Sequence, residues 1–226
     1  MSTATTVKNE LQNCITRLNK YTNKNATTLK EAIDNLYGFT EIPYIEFSGA
    51  QYIDTEVLTS QNLKIECEFS TATKQKLLLG ARGTNADALC WGYYNSSPAS
   101  YFAFGGTASS NSLTLNVLDG QKHKLVMSNQ EYSIDNEEQS CADRNRGELT
   151  SFYSIALGTW NNAGSYDSRY YEGKIYSLKM WRGNELIRDF IPVLNNETQV
   201  ICLFDKVECK FYYNKGSGNF VYEEEE

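Results

Sequence analysis

From Pro43 onward, apolar residues recur at every second position, and that period constrains most of what the chain can become. The run 63–70 carries it most plainly: Leu63, Ile65, Cys67 and Phe69 alternate with Lys64, Glu66 and Glu68. Successive strand side chains point to opposite faces, so this segment has one apolar and one charged face. Further strand-like runs lie at 44–47, 51–54, 76–81, 89–94, 101–105, 112–117, 122–127, 131–135, 152–157, 173–181, 186–193, 200–204 and 210–213. Turn signals separate them at Asp119-Gly120, Arg182-Gly183-Asn184 and Gly216-Ser217-Gly218. Many short strands with no helix between them predict an antiparallel sandwich or barrel. Aromatic residues make up 13% of the chain, sixteen of them tyrosines, which favours sheet in the same direction.

The first 40 residues follow a different period. Val7, Leu11, Cys14, Leu18 and Tyr21 recur at 4-3-4-3 spacing, and Ile15 broadens the stripe. That is the seam of a short coiled coil or one face of an amphipathic helix. After an Asn-rich break at 23–25, Thr28 can cap a second helix, with Glu31 as its capping-box partner. That helix carries Leu29, Ala32, Ile33 and Leu36, and Gly38 ends it. Helices this short are marginal alone, so they must pack on the following domain, on copies of themselves, or on a partner. The expected organisation is a helical arm at 1–40, one β domain at 41–222 and a solvated acidic tail at 223–226.

Charge divides at the same place. Residues 1–38 hold five Lys/Arg and three Asp/Glu, a net +2, leaving 16 against 25, a net -9, for the rest. An acidic body argues against a nucleic-acid partner, because displacing counterions from phosphates needs a basic footprint. No apolar run approaches the roughly 18–20 residues that cross a bilayer, and no secretory signal is visible in 1–8. The six cysteines are scattered, with no CxxC or Cys/His cluster, and read as free and mostly buried thiols made in a reducing cytoplasm.

Several segments of the β domain belong together. Tyr44-Ile-Glu-Phe-Ser-Gly-Ala-Gln-Tyr-Ile-Asp-Thr55 opens it, followed by Leu79-Gly-Ala-Arg82, Leu118-Asp-Gly-Gln-Lys-His-Lys-Leu125 and Tyr132-Ser-Ile-Asp135. Its end carries Gly173-Lys-Ile-Tyr-Ser-Leu-Lys-Met-Trp181, Leu186-Ile-Arg-Asp-Phe-Ile-Pro192, Leu203-Phe-Asp205 and Phe211-Tyr-Tyr-Asn-Lys-Gly-Ser-Gly-Asn-Phe220. Over about residues 42–222 this series resembles the concanavalin A-like (laminin-G-like) lectin/glucanase domains of bacteriophage and prophage virion proteins. The resemblance implies a mainly β chain, an antiparallel jelly-roll β-sandwich preceded by a short N-terminal helical arm, on the outside of a virion. It names no ligand.

Hydrolases of that fold place Glu-x-Asp-x-x-Glu on one strand, so that all three acids face one cleft. No glutamate here has aspartate two positions on, and Glu66 with Glu68 reads as a solvated sheet face. An enzyme is therefore not expected. His123 reads as structural or exposed, and no calcium-loop pattern occurs, so no cofactor or metal is expected. Sugar binding is the sharper idea, since sugars stack on aromatic rings while amides and carboxylates hold their hydroxyls. The loop carrying Trp160, Asn161, Asn162, Tyr166, Asp167 and Arg169 has that inventory, and Trp91, Tyr93, Tyr94 and Tyr101 can add a platform. The other reading makes Trp91 and Trp160 core residues.

The expectation is a non-enzymatic virion structural protein, a head fibre, decoration or tail adhesin. Its lectin-like domain would touch host-surface glycans. Its arm, through Val7, Leu11, Ile15, Leu18 and Tyr21, would join other virion proteins and copies of itself, as a homotrimer. A glycoside hydrolase of the same fold and a purely structural decoration without ligand are the alternatives.

Overall fold

The computed structural model describes residues 3–22, 25, 27–29, 31–32, 36, 38–84, 86–93, 99–150 and 152–223. A helix, α1 (Thr3–Thr22), precedes the strands. These are β1 (Phe39–Glu41), β2 (Ile45–Ser48), β3 (Ile53–Leu58), β4 (Leu63–Ser70), β5 (Leu77–Thr84), β6 (Asp87–Tyr93), β7 (Ala99–Gly106), β8 (Ser109–Ser112) and β9 (His123–Ser128). They continue with β10 (Tyr132–Ile134), β11 (Glu137–Glu138), β12 (Ser154–Leu157), β13 (Asn161–Asn162), β14 (Ser165–Tyr166), β15 (Glu172–Arg182), β16 (Glu185–Asn195), β17 (Ile201–Asp205) and β18 (Lys210–Tyr212).

Two sheets divide them. The first runs β11-β10-β9-β4-β15-β16-β17-β18, with β2 joining β15 and β1 joining β16. The second runs β14-β13-β5-β6-β7-β8, with β12 bridging β3 and β5. One apolar core takes Ile65, Cys67, Phe69, Leu178 and Phe190 from the first and Leu89, Trp91, Phe102, Phe104 and Leu157 from the second. That shared core makes the domain a mainly β sandwich. The β4 alternation is realised as written: its apolar residues are buried, and Lys64, Glu66 and Glu68 lie on the outer face.

Turn chemistry sets the hairpins. The long β15–β16 pair closes with Arg182 opposite Glu185, and Gly183 takes the left-handed φ of 61° that so tight a turn needs. Asp135 and Asn136 do the same between β10 and β11, with φ of 53° and 67°. The run expected at 112–117 is displaced: β8 ends at Ser112, and Leu113 and Val117 tuck into the core from irregular chain. The Gln139 side chain accepts from the Thr114 backbone N–H at 2.9 Å, satisfying a group that a ladder would otherwise hold.

The arm has its own small cluster, Ile15 and Ala32 with Leu18 and Leu29, separate from the sandwich core. The capping box is present: Thr28 Oγ1 accepts from the Glu31 N–H and Glu31 Oε2 from the Thr28 N–H, both at 3.1 Å. Bonds from the Thr27 N–H and hydroxyl, and then from the Thr28 N–H, hold the Glu31 carboxyl below its usual range. Gly38 sits at φ 75°; residues 33–35 and 37 of the second helix expected before it lie outside the described residues. The side chain of Tyr21 lies outside the described residues, as do Ile33 and Tyr94. The six cysteines are free; Cys67, Cys90 and Cys202 are buried, Cys14 and Cys209 exposed.

Candidate functional site

The 158–170 segment is placed by a chain reversal. β12 runs antiparallel to β5 at Leu79 and Gly80, and β13 then runs parallel to it at Ala81 and Arg82. Gly158 makes the turn at φ 90°; a Cβ there would lie 2.5 Å from Phe47 Cε1, so glycine is required. Its N–H donates to the Leu78 carbonyl, and its carbonyl accepts from Tyr171, at 2.6 and 2.7 Å. The reversal lays Trp160 across the outer face of the second sheet.

That face is unusual in being apolar. β6 sends Leu89, Trp91 and Tyr93 inward and Ala88 and Cys90 outward, and Trp160 packs on the latter pair with Leu77 and Ala103. Two guanidinium groups cover it: Arg82 and Arg169 lie 4.3 and 5.1 Å from its ring centroid. Tyr101 meets it edge-on at 6.2 Å. Trp160 is thus 1% exposed and offers no ring face to a sugar. Trp91 and Tyr93 require the same correction as platform residues, because strand alternation turns them into the core. There the Trp91 indole N–H donates to the Tyr132 hydroxyl at 3.1 Å.

The polar residues of the loop mostly hold the loop. Asn161 is buried, donating to the Ser154 carbonyl and accepting from the Gly164 N–H across the β13–β14 turn. Asn162 accepts from Arg82 Nε at 2.8 Å, which fixes that guanidinium over the indole. Asp167 accepts two bonds from the Arg169 guanidinium, both 2.8 Å, and one from its backbone N–H. Burial opposes the Asp167 charge, but these bonds outweigh it and hold its pKa at about 2. The Trp160 N–H adds to that field without forming a hydrogen bond of good geometry.

Tyr166 behaves differently. It stays half-buried on β14 and packs tilted against Tyr52 with centroids 4.1 Å apart, and Tyr170 stacks on Tyr52 at 6.3 Å. Tyr52 and Tyr170 were not expected at the site. Tyr52 carries one weak signal: it alternates with the core residue Ile53, so it must face away from the core.

The remaining candidates take structural roles. Glu66 lies between Lys64 and Lys124 at 3.3 and 2.8 Å, and Glu68 pairs with Lys122 at 2.8 Å. Partial burial opposes the Glu66 charge, but the two lysines outweigh it and keep the carboxyl below its usual range. His123 is 7% exposed and clamped between carboxylates, Nδ1 to Asp135 at 2.6 Å and Nε2 to Asp119 at 3.0 Å. Burial opposes ring protonation, yet the two carboxylates win and raise its pKa. The clamp therefore contributes fully below about pH 6.5 and fades as pH rises through the folded value. We expect the melting-temperature gap between wild type and His123→Gln to be widest near pH 6 and to narrow by about pH 9. A gap that widens with pH would show a neutral ring.

On α1 the stripe is split. Ile15 is buried against Ala32 and Leu18 is half-buried, whereas Val7 and Leu11 are 49% and 44% exposed. The inward half of the expected seam is consumed within the chain. Among the described residues no group of three or more His, Cys, Asp or Glu side chains is gathered to hold a metal ion. No described helix is long and apolar enough to cross a membrane. No protein-family model matches the chain, and no curated protein matches its sequence.

Proposed function

We propose that the chain is a non-catalytic display protein: a lectin-like β-sandwich of jelly-roll type that binds glycans, carried by a helical anchor. The observation that supports it best is the split stripe on α1. Val7 and Leu11 remain exposed on α1, in an arm whose own cluster is separate from the sandwich core. Exposed apolar residues at helical spacing suit assembly with copies of the chain or with a particle. The virion setting rests on the sequence resemblance. Multiple copies would turn weak sugar affinity into avidity. A non-catalytic reading is supported by Glu66, whose two lysine partners hold its carboxyl below the usual range, whereas a general acid needs the opposite shift.

The test is molar mass by light scattering for the full chain and for one starting at Thr40. The expected result is a trimer for the full chain and a folded, soluble monomer for the shorter one. An aggregated shorter chain would make the arm part of the core and overturn the anchor. Two monomers would move the assembly function to a particle surface.

A further inference from the structure

We infer that the glycan surface is a ledge of three tyrosines, Tyr52, Tyr166 and Tyr170, with Asp54 beside it, and that it takes neutral hexose chains in preference to acid-bearing ones. This rests on the carbohydrate reading and specifies its site and sugar class.

The three rings come from separate segments. Tyr52 precedes β3, Tyr166 is on β14, and Tyr170 bridges to Leu77 of β5. Tyr170 stacks on Tyr52 at an interplanar angle of 28°, and Tyr166 is tilted against Tyr52 at 31°. Each is half-buried and keeps part of its surface in solvent. The support beneath is rigid. The Tyr52 N–H donates to Asn214 Oδ1 at 3.1 Å and its carbonyl accepts from Lys215 at 2.8 Å. The preceding Gln51, 1% exposed, accepts from Ser48 N and donates to the Asn219 carbonyl, both at 2.9 Å. Aromatic faces held this way suit the C–H faces of pyranose rings with little ordering to lose on binding.

Charge sets the class. Asp54 lies two residues from Tyr52 on the same side of the strand. Burial first, and the Asp54 charge next, push the Tyr166 hydroxyl up to about 12, so it stays a neutral donor and acceptor. Arg169, the cation of this loop, is neutralised by its bidentate pair with Asp167. A carboxylate sugar would meet the like charge of Asp54; a neutral one would offer it a hydroxyl.

Saturation-transfer NMR on the full chain would test this. The probes are glucose-, galactose- and mannose-based oligosaccharides and the same chains bearing uronic or sialic acid. Neutral chains should bind. Tyr166→Ala should weaken them about tenfold and Tyr166→Phe by less than about threefold, with unchanged melting. Asp54→Asn, which keeps the carbonyl that accepts from Glu56 N, should admit the acid-bearing chains. Binding that ignores both substitutions, or that prefers acid-bearing sugars, would overturn the ledge while leaving glycan binding intact. Silence from every sugar would overturn the carbohydrate reading and the ledge together.

Discussion

Replacing Trp160 by alanine is expected to lower the melting temperature by roughly 6–20 °C. The indole is the lid of a second apolar layer: it covers Leu77, Ala88, Cys90 and Ala103 and is itself covered by Arg82 and Arg169. Truncation leaves a cavity against a sheet that cannot collapse, at about 3–5 kcal/mol for a buried tryptophan. In a domain of this size each kcal/mol moves the midpoint by about 2–4 °C. It also strips the stacking partner from two guanidinium groups. Trp160→Phe, which keeps an aromatic lid, should lose less than half as much. Thermal unfolding followed by near-ultraviolet circular dichroism would decide: a shift below about 2 °C would return Trp160 to the surface.

The second large effect concerns Arg188 and Asp205. Asp205 is 0% exposed; its Oδ1 accepts from the backbone N–H groups of Asp189 and Val207 at 2.8 and 3.1 Å. Arg188 Nε stands 3.5 Å from its other oxygen, and Nη1 reaches Glu208 at 2.6 Å. The pair ties β16 to β17 on the core-facing side of the sheet, in the alternation that carries Phe190 and Leu203. Arg188→Met leaves a buried carboxylate without its cation and should cost about 3–5 kcal/mol. Adding Asp205→Asn removes the orphaned charge while keeping an acceptor for both N–H groups. The double variant should therefore recover most of the loss, a coupling of at least 1 kcal/mol in a double-mutant cycle. Additive losses in urea unfolding would show that the two residues act independently.

The Trp91 correction shows where a strand pattern stops being informative. β6 is buried along its whole length, because Trp160 covers one face as the core covers the other. Alternation tells which residues share a face, but only an exposed polar face tells which side is out. β4 has such a face and was legible; β6 has none. The arm was legible in its capping box, whose partners lie within four residues. Its seam was legible as a stripe, though not as one divided between an intrachain partner and solvent.

The sequence by itself therefore determined the strand-rich body, the turn positions, the capped arm and the free thiols. Each depends on period, spacing or backbone preference within a few residues. Tertiary structure decided the rest: that Trp160 is a lid, that His123 is gripped from both sides, and that Tyr52 meets Tyr166 and Tyr170. Tyr52 and Tyr166 are more than a hundred positions apart, and no local preference encodes their meeting. It follows from the Gly158 reversal, which takes the chain from antiparallel to parallel pairing along β5, a strand laid down far upstream.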